Sequence, residues 1–247
     1  MAVQQRFDPR RRSLLVAGGA VVLGASSRPR GALAQPSAKT PIGVIGSGHI
    51  GSTVGGLWVK AGHPVLFSSR HPDELKDMVD KLGALAKAGT VAEAIAFGDA
   101  LLIAVPYGAL PQIGEGNRDA LKGKVVLDAC NAVASRDGDI AAEVERNGIG
   151  ITSQKYLPGA HVVRAFNTLS YMILAGESNR ADPRLAIPVA GDDAAAVRMA
   201  EGLVRDAGFD PVVVGKLADA SRFQRGGPGY GQNVSAAELK RTLSLAP

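Results

Sequence analysis

Residues 41–72 read PIGVIGSGHIGSTVGGLWVKAGHPVLFSSRHP. An apolar run, Ile42 to Ile45, is long enough for a buried strand. It ends in Gly46-Ser47-Gly48-His49-Ile50-Gly51, a G-x-G-x-x-G. Beyond the turn, Ile50, Val54, Leu57, Trp58 and Ala61 recur at helical spacing, and a second apolar run, Val65 to Phe67, ends in Ser68-Ser69-Arg70. A lone glycine turn of this kind is weak evidence. Flanked by strand, helix and strand in that order, it is the first half of a dinucleotide-binding βαβ unit. Gly46 turns the chain off the strand, Gly48 leaves the backbone open to a pyrophosphate, and Gly51 lets the helix close on the sheet. The phosphates would then meet the N–H groups and positive dipole end of the helix that begins near His49.

The end of the second strand selects the nucleotide. An NAD site places Asp or Glu there to bond the ribose 2′-OH. Ser69 and Arg70 stand there instead, followed by His71. A carboxylate would repel a 2′-phosphate, whereas a hydroxyl and a guanidinium fork bind one, so the expected cofactor is NADP(H).

Residues 1–34 are set apart from the fold. Arg10-Arg11-Arg12-Ser13-Leu14-Leu15 opens a basic region, Leu14 to Gly24 is apolar but short for a membrane span, and Ala32-Leu33-Ala34 is an A-x-A cleavage site before Gln35. The pattern is that of a signal peptide, and Arg11-Arg12-Ser13-Leu14-Leu15 resembles the twin-arginine export motif, although Arg10 replaces the usual Ser or Thr. The expected route is export through the twin-arginine machinery to the periplasm. A general secretory signal or an uncleaved membrane tether are the alternatives. Net charge supports the division. Taking the leader's six arginines and one aspartate from totals of 28 basic and 23 acidic residues leaves 22 of each. The remaining chain carries no basic excess to argue for nucleic acid.

The lone Cys130 closes an apolar strand and reads as a small core residue rather than a nucleophile; His49, His63, His71 and His161 show no metal-ligand spacing. A linker is expected at 35–40. Downstream, the apolar periodicity predicts a helix over 72–87 and a short one over 91–97, a strand over 100–105, and a strand over 124–129. A brief helix or turn follows at 153–158, then a strand over 161–166, a helix around Tyr171 capped by Thr168, a strand over 186–190, a helix over 194–207 and a last strand over 211–214. The expected architecture is α/β: a Rossmann-type doubly wound, mostly parallel sheet with helices on both faces, in a single domain over 41–223. An irregular tail, 224–247, carries a short helix begun by the Ser235/Glu238 capping box. In such a sheet the carboxyl ends of the strands border the crevice, which places Ala104 to Tyr107, Asn131 and Asn167 there. Tyr107 there either meets the ligand or caps its strand.

Taken together, Asp128-Ala129-Cys130-Asn131, Leu157-Pro158-Gly159-Ala160, Val163-Arg164-Ala165-Phe166-Asn167-Thr168 and Gly191-Asp192-Asp193, with the opening above, resemble the NADPH-dependent coenzyme F-420 reductase family, to which the STEAP reductase domain is related. The resemblance covers roughly residues 41 to 223. It implies that Gly46, Ser47, Gly48, His49 and Ile50 hold the pyrophosphate and that Ser69 and Arg70 hold the 2′-phosphate. It further implies that Val105 and Pro106 flank the nicotinamide ribose, that Asn131, Ala165 and Asn167 border the nicotinamide and a second, flavin-like ring, and that the protein is a dimer. Cys130-Asn131-Ala132 departs from the family's Thr-Asn-Pro, and a second basic residue for the phosphate has only Lys76 as its nearest match.

Enzymes that share this opening but act on hydroxy acids or pyrroline carboxylates add a large helical domain, and none is expected here after the last strand. No Lys or His follows a strand as an obvious proton donor, so no catalytic side chain is expected. Hydride transfer between NADPH and a flavin, a deazaflavin or another small electron acceptor needs none, since the rings themselves carry the chemistry. The competing expectation is a non-catalytic NADP-binding module that senses or scaffolds.

Overall fold

A computed structural model describes Met1 and residues 39–246. Residues 2–38, which hold the leader beyond Met1 and the linker up to residue 38, lie outside the described residues. The chain divides into two units, Met1–Ser37 and Ala38–Pro247, and every element below belongs to the second.

The near-continuous apolar runs are strands buried on both faces, as parallel sheets require. They are β1 (Ile42–Ile45), β2 (Val65–Ser68), β4 (Ala100–Ile103), β5 (Val125–Asp128), β6 (His161–Arg164), β7 (Ala186–Gly191) and β8 (Asp210–Gly215), with a short β3 (Ala86–Gly89) at the edge. Successive side chains point to opposite faces. Ile42, Val44, Ala100, Leu102, Val125 and Leu127 enter one core, while Ile45, Leu101, Ile103 and Val126 enter the other. The helices supply the outer layers. On the first face lie α1 (His49–Lys60), α9 (Tyr171–Glu177) and α10 (Ala194–Asp206). The second takes α3 (Val91–Phe97), α4 (Leu110–Gly116), α7 (Asp139–Asn147), α8 (Ile149–Tyr156) and α11 (Ala236–Thr242). Short helices α2 (Lys76–Leu82), α5 (Arg118–Leu121) and α6 (Ala134–Asp137) complete the chain.

The eight strands run in the order β3-β2-β1-β4-β5-β6-β7-β8. All neighbours are parallel except β6 and β7. This is the doubly wound Rossmann arrangement, extended by a β7–β8 pair. The order reverses between β1 and β4, whose connections leave in opposite directions, and that switch point opens the crevice where the carboxyl ends of the strands converge.

Several sequence expectations are corrected. The helix expected over 72–87 is a 3-10 turn at Pro72–Leu75 followed by α2. Gly83, at φ +90°, ends α2, and residues 86–89 pair with β2 instead. The sequence Ala-Lys-Ala-Gly of β3 has no β-branched residue, so its strand comes from pairing, not from propensity. The brief helix or turn expected at 153–158 is the end of a longer α8, and α6 and α7, for which no element was expected, precede it. Ser170, not Thr168, caps α9 by accepting from Ile173 N. Thr168 is buried, and its carbonyl accepts from Gly231 N at 3.0 Å. The Ser235/Glu238 capping box forms, and Leu239 of the helix it starts packs into the second core.

Trp58 pins α1 to α10 by donating from Nε1 to Leu203 O at 2.7 Å, and its ring meets Phe166 edge-on. The same helix carries a glycine for contact. A Cβ on Gly55 would lie 2.4 Å from the Phe67 ring, whereas one on Gly56 would sit at an ordinary 3.4 Å from Leu82. Gly55→Ala should lower stability by about 1–3 kcal/mol through overpacking. Gly56→Ala should be neutral or stabilising by up to about 1 kcal/mol through helix propensity. Urea unfolding midpoints of the two variants check the pair, and equal effects would contradict the packing.

Candidate functional site

The glycine turn sits at the switch point, and its three glycines differ in what surrounds them. Gly46 is at φ +94°, and a Cβ on it would lie 2.6 Å from Ala104 O and from Val105 Cγ1. This is the tight turn against β4 that the sequence implies. On Gly51 a Cβ would strike Gly46 O at 2.0 Å, so the start of α1 rests directly on the turn. Around Gly48 nothing lies within 4 Å. Its side of the turn is open, as an approaching pyrophosphate requires. Gly48 is also the N-cap of α1 and supplies no capping side chain, so the first-turn N–H groups of a 12-residue helix face that open side. The first turn has no acidic residue to oppose an anion.

The neighbouring side chains are already engaged, which leaves the backbone to do the binding. Ser47 Oγ donates to Ser68 O at 3.0 Å and ties the turn to the end of β2. Ile50 packs against the first core. His49 stacks on Tyr171, with ring centroids 4.3 Å apart and planes 11° off parallel, and this joins the first residues of α1 and α9. Ser69 and Arg70 follow β2 directly. Ser69 Oγ accepts from His71 N, and Arg70 is exposed and forms no ion pair among the described residues. Lys76 lies on α2, paired with Asp80 one turn on.

Val105 and Pro106 follow β4, and Val105 N donates to Cys130 Sγ at 3.4 Å. Tyr107 resolves toward neither expected role. It is fully buried, and its hydroxyl, 3.1 Å from Ile149 O and 2.9 Å from Ser153 Oγ, is spent on α8. Burial, with Asp128 nearby, raises its pKa. Cys130 is buried as well, and desolvation first, then Asp128, push its thiol well up, so it stays protonated.

Asn131 and Asn167, after β5 and β6, come together. Asn131 Nδ2 donates to Asn167 O at 2.7 Å, and Asn167 Nδ2 donates to Phe223 O at 3.1 Å. Both amide oxygens are buried and accept no hydrogen bond. Two orphaned acceptors at the ligand end of a sheet fit a ligand with N–H donors, such as a carboxamide. Ala165 is buried in the first core, and Phe166 between it and Asn167 takes φ +61°, a conformation uncommon for a bulky residue.

Two structural devices beneath this corner were invisible in the sequence. Asp128 and Arg164 are the last residues of β5 and β6 and face each other in register, both 0% exposed. They form an ion contact rather than an aligned hydrogen bond. Asp128 Oδ1 accepts from Cys130 N at 2.8 Å, and Arg164 Nη2 donates to Cys130 O at 2.7 Å. Together the two side chains fix the backbone that delivers Asn131. A second clamp uses Asp137, whose side chain is 2% exposed. Its oxygens accept from Gly108 N at 3.1 Å and Val133 N at 2.8 Å, joining the segments after β4 and β5. Arg136 pairs with Asp137 and also donates to Asn131 O. Burial works against the charge of Asp137, but the hydrogen bonds from Arg136, Val133 and Gly108 outweigh it and hold the carboxyl below its ordinary value.

Arg164→Met leaves Asp128 buried without a counter-charge and should cost about 3–5 kcal/mol, and Asp128→Leu added to it should recover part of that loss. Chemical denaturation of both variants measures it, and a silent single variant would contradict the clamp. A carboxyl held low adds stability above its ordinary pKa of about 4 and loses it as pH falls through the folded value. The wild type should therefore lose more stability than Asp137→Asn on acidification through that window, as read by thermal melts.

Residues 41–132 match the family model described as NADP oxidoreductase, coenzyme F420-dependent. The chain is 27% identical over 202 residues to the metalloreductase STEAP3 of Rattus norvegicus, a match over 78% of this chain and 38% of that protein. It is 46% identical over 63 residues to the protein YjhV of Escherichia coli K12, a match over 26% of this chain and 46% of that one. The chain thus spans less than half the length of these relatives. The crystal structure of SMa0349 from Sinorhizobium meliloti superposes with a TM-score of 0.67 at 29% identity, over 79% of this chain and 95% of that one. Over residues 41–132 the chain is thus similar to the family of NADP oxidoreductases described as coenzyme F420-dependent.

Proposed function

We propose that the protein binds NADP(H) across the β1/β4 switch point and passes a hydride between it and a flavin, a deazaflavin or another small conjugated acceptor at the Asn131–Asn167 corner. The observation that carries this reading is the open cradle at Gly48, set at the same edge of the sheet as the two unpartnered amide oxygens. The N–H groups from Gly48 to Gly51 hold the pyrophosphate, and Ser69 and Arg70 hold the 2′-phosphate. Val105 and Pro106 flank the ribose, and Asn131 and Asn167 orient the nicotinamide through their oxygens. When bound, the reduced nicotinamide supplies the hydride, two electrons and one proton together.

The side chains near that corner are withdrawn from proton chemistry. The Tyr107 hydroxyl is spent on α8, and the Cys130 thiol is buried and protonated. The chain's part is to orient and desolvate, and any proton the reduced acceptor needs comes from solvent. The leader adds a further step: the protein folds around its nucleotide before twin-arginine export and carries it out.

Arg70→Ser should raise the Kd for NADPH by about tenfold or more, the worth of a charge-assisted contact, and leave the Kd for NADH within about twofold. Intrinsic nicotinamide fluorescence titrations measure both. A wild type without preference for NADPH, or a variant that weakens both nucleotides equally, would overturn the assignment.

A further inference from the structure

The two ends of the proposed dinucleotide site are carried by different strands. Gly48 stands at the carboxyl end of β1 and Asn167 at that of β6, with β4 and β5 between them. Three strand spacings put those ends about 14 Å apart across the sheet. Among the described residues no hydrogen bond joins residues 46–52 to residues 166–173. The turn is tied instead to Ser68, and Asn167 to Asn131 and Phe223. Deeper in the first core Phe166 meets Trp58, but at the rim of the crevice the two sides meet through a stacked pair. His49, next to Gly48, opens α1, and Tyr171, four residues after Asn167, opens α9. Their rings lie nearly parallel, with centroids 4.3 Å apart. This is not core packing. His49 is exposed and Tyr171 half-buried, and neither the imidazole nitrogens nor the phenol hydroxyl meets a protein partner among the described residues. The start of α9 has few other anchors: the Ser170 cap, and Leu174 buried in the first core.

We infer that the His49–Tyr171 stack is a strut that fixes the spacing between the pyrophosphate cradle and the Asn131–Asn167 corner, and that Tyr171 is a positioning residue for the nicotinamide half of NADP(H). The inference rests on the proposed dinucleotide reading. The two ring faces are spent on each other, so the pair acts through geometry and leaves the phosphate to the backbone. Contact between stacked rings weakens steeply within an ångström of opening, which makes the pair a stiff spacer. A misplacement of that size matters where a hydride must pass between atoms near contact. Without the Tyr171 ring, α9 and the loop that delivers Asn167 settle independently of α1. The pyrophosphate then stays on the turn while the carboxamide loses its fit to the two amide oxygens.

The test compares NADPH with 2′-phospho-ADP-ribose, which keeps the 2′-phosphate and the pyrophosphate but lacks the nicotinamide. Nicotinamide fluorescence titrations of the full chain give the Kd of NADPH, and its displacement gives that of 2′-phospho-ADP-ribose. Tyr171→Ala should weaken NADPH about three- to tenfold, the worth of one aromatic pair, and leave 2′-phospho-ADP-ribose within about twofold, which also shows the fold intact. Tyr171→Phe keeps the stack and should match the wild type with both ligands. His49→Ala should give the same split as Tyr171→Ala, and the double variant should be no worse than either single one, because each removes the same contact. Equal weakening of both ligands by Tyr171→Ala or His49→Ala, or alanine variants indistinguishable from the wild type, would overturn the inference and leave the proposed function standing. A wild type that binds neither ligand, or binds NADPH no tighter than 2′-phospho-ADP-ribose, would instead overturn the proposed function.

Discussion

The crevice depends on one buried ion pair. Asp128 and Arg164 close β5 and β6 side by side, and each also holds the backbone of Cys130. Two charges out of water cost several kcal/mol each, and their attraction offsets this only when their other polar atoms find partners. Here the further partners are the N–H and C=O of one residue. The pair is therefore a positioning device more than a source of stability. It converts the register between two strands into a fixed exit direction for the chain, and Asn131 is the first side chain delivered by that exit. On the other strand, the left-handed turn at Phe166 delivers Asn167, and the Phe166 ring is held by Trp58 and Phe209.

From this frame the division of labour follows. At the glycine turn the open surface is backbone, with the side chains of Ser47, His49 and Ile50 turned away into local bonds, stacking and packing. At the ends of β5 and β6 stand two amides whose oxygens have no protein donor. Asp137 couples the walls between them by taking N–H groups from Gly108 and Val133 at once. That arrangement would suit the proposed hydride transfer, which needs groups that bind and orient rather than titrate.

Much of this was legible in the sequence, for reasons that differ by element. The strands buried on both faces read directly as apolar runs, and the glycine turn was legible because a Cβ on Gly46 or Gly51 would strike the backbone, while Gly48 faces open space. Strand ends could be placed at one edge from the sequence because parallel topology forces the carboxyl ends of β1, β2, β4, β5 and β6 together. The edge strand β3 was not legible, since Ala-Lys-Ala-Gly becomes a strand only beside β2. The helices between 133 and 157 were obscured by weak, short apolar patterns around several glycines. The Asp128–Arg164 pair required strand register, which spacing alone does not supply. Tyr107 stood at a strand end like the other candidate residues, but its ring turns into the second core and its hydroxyl meets α8.

The most direct measurement is an anaerobic single turnover, in which the full chain is mixed with NADPH and a limiting amount of FMN while the nicotinamide and flavin bands are followed together. The account predicts that both bands bleach with the same rate constant and in equal amounts, and that the rate slows with NADPH deuterated at one face of C4 and not at the other. Tight binding of both molecules with no coupled bleaching, or bleaching without an isotope effect at either face, would contradict it.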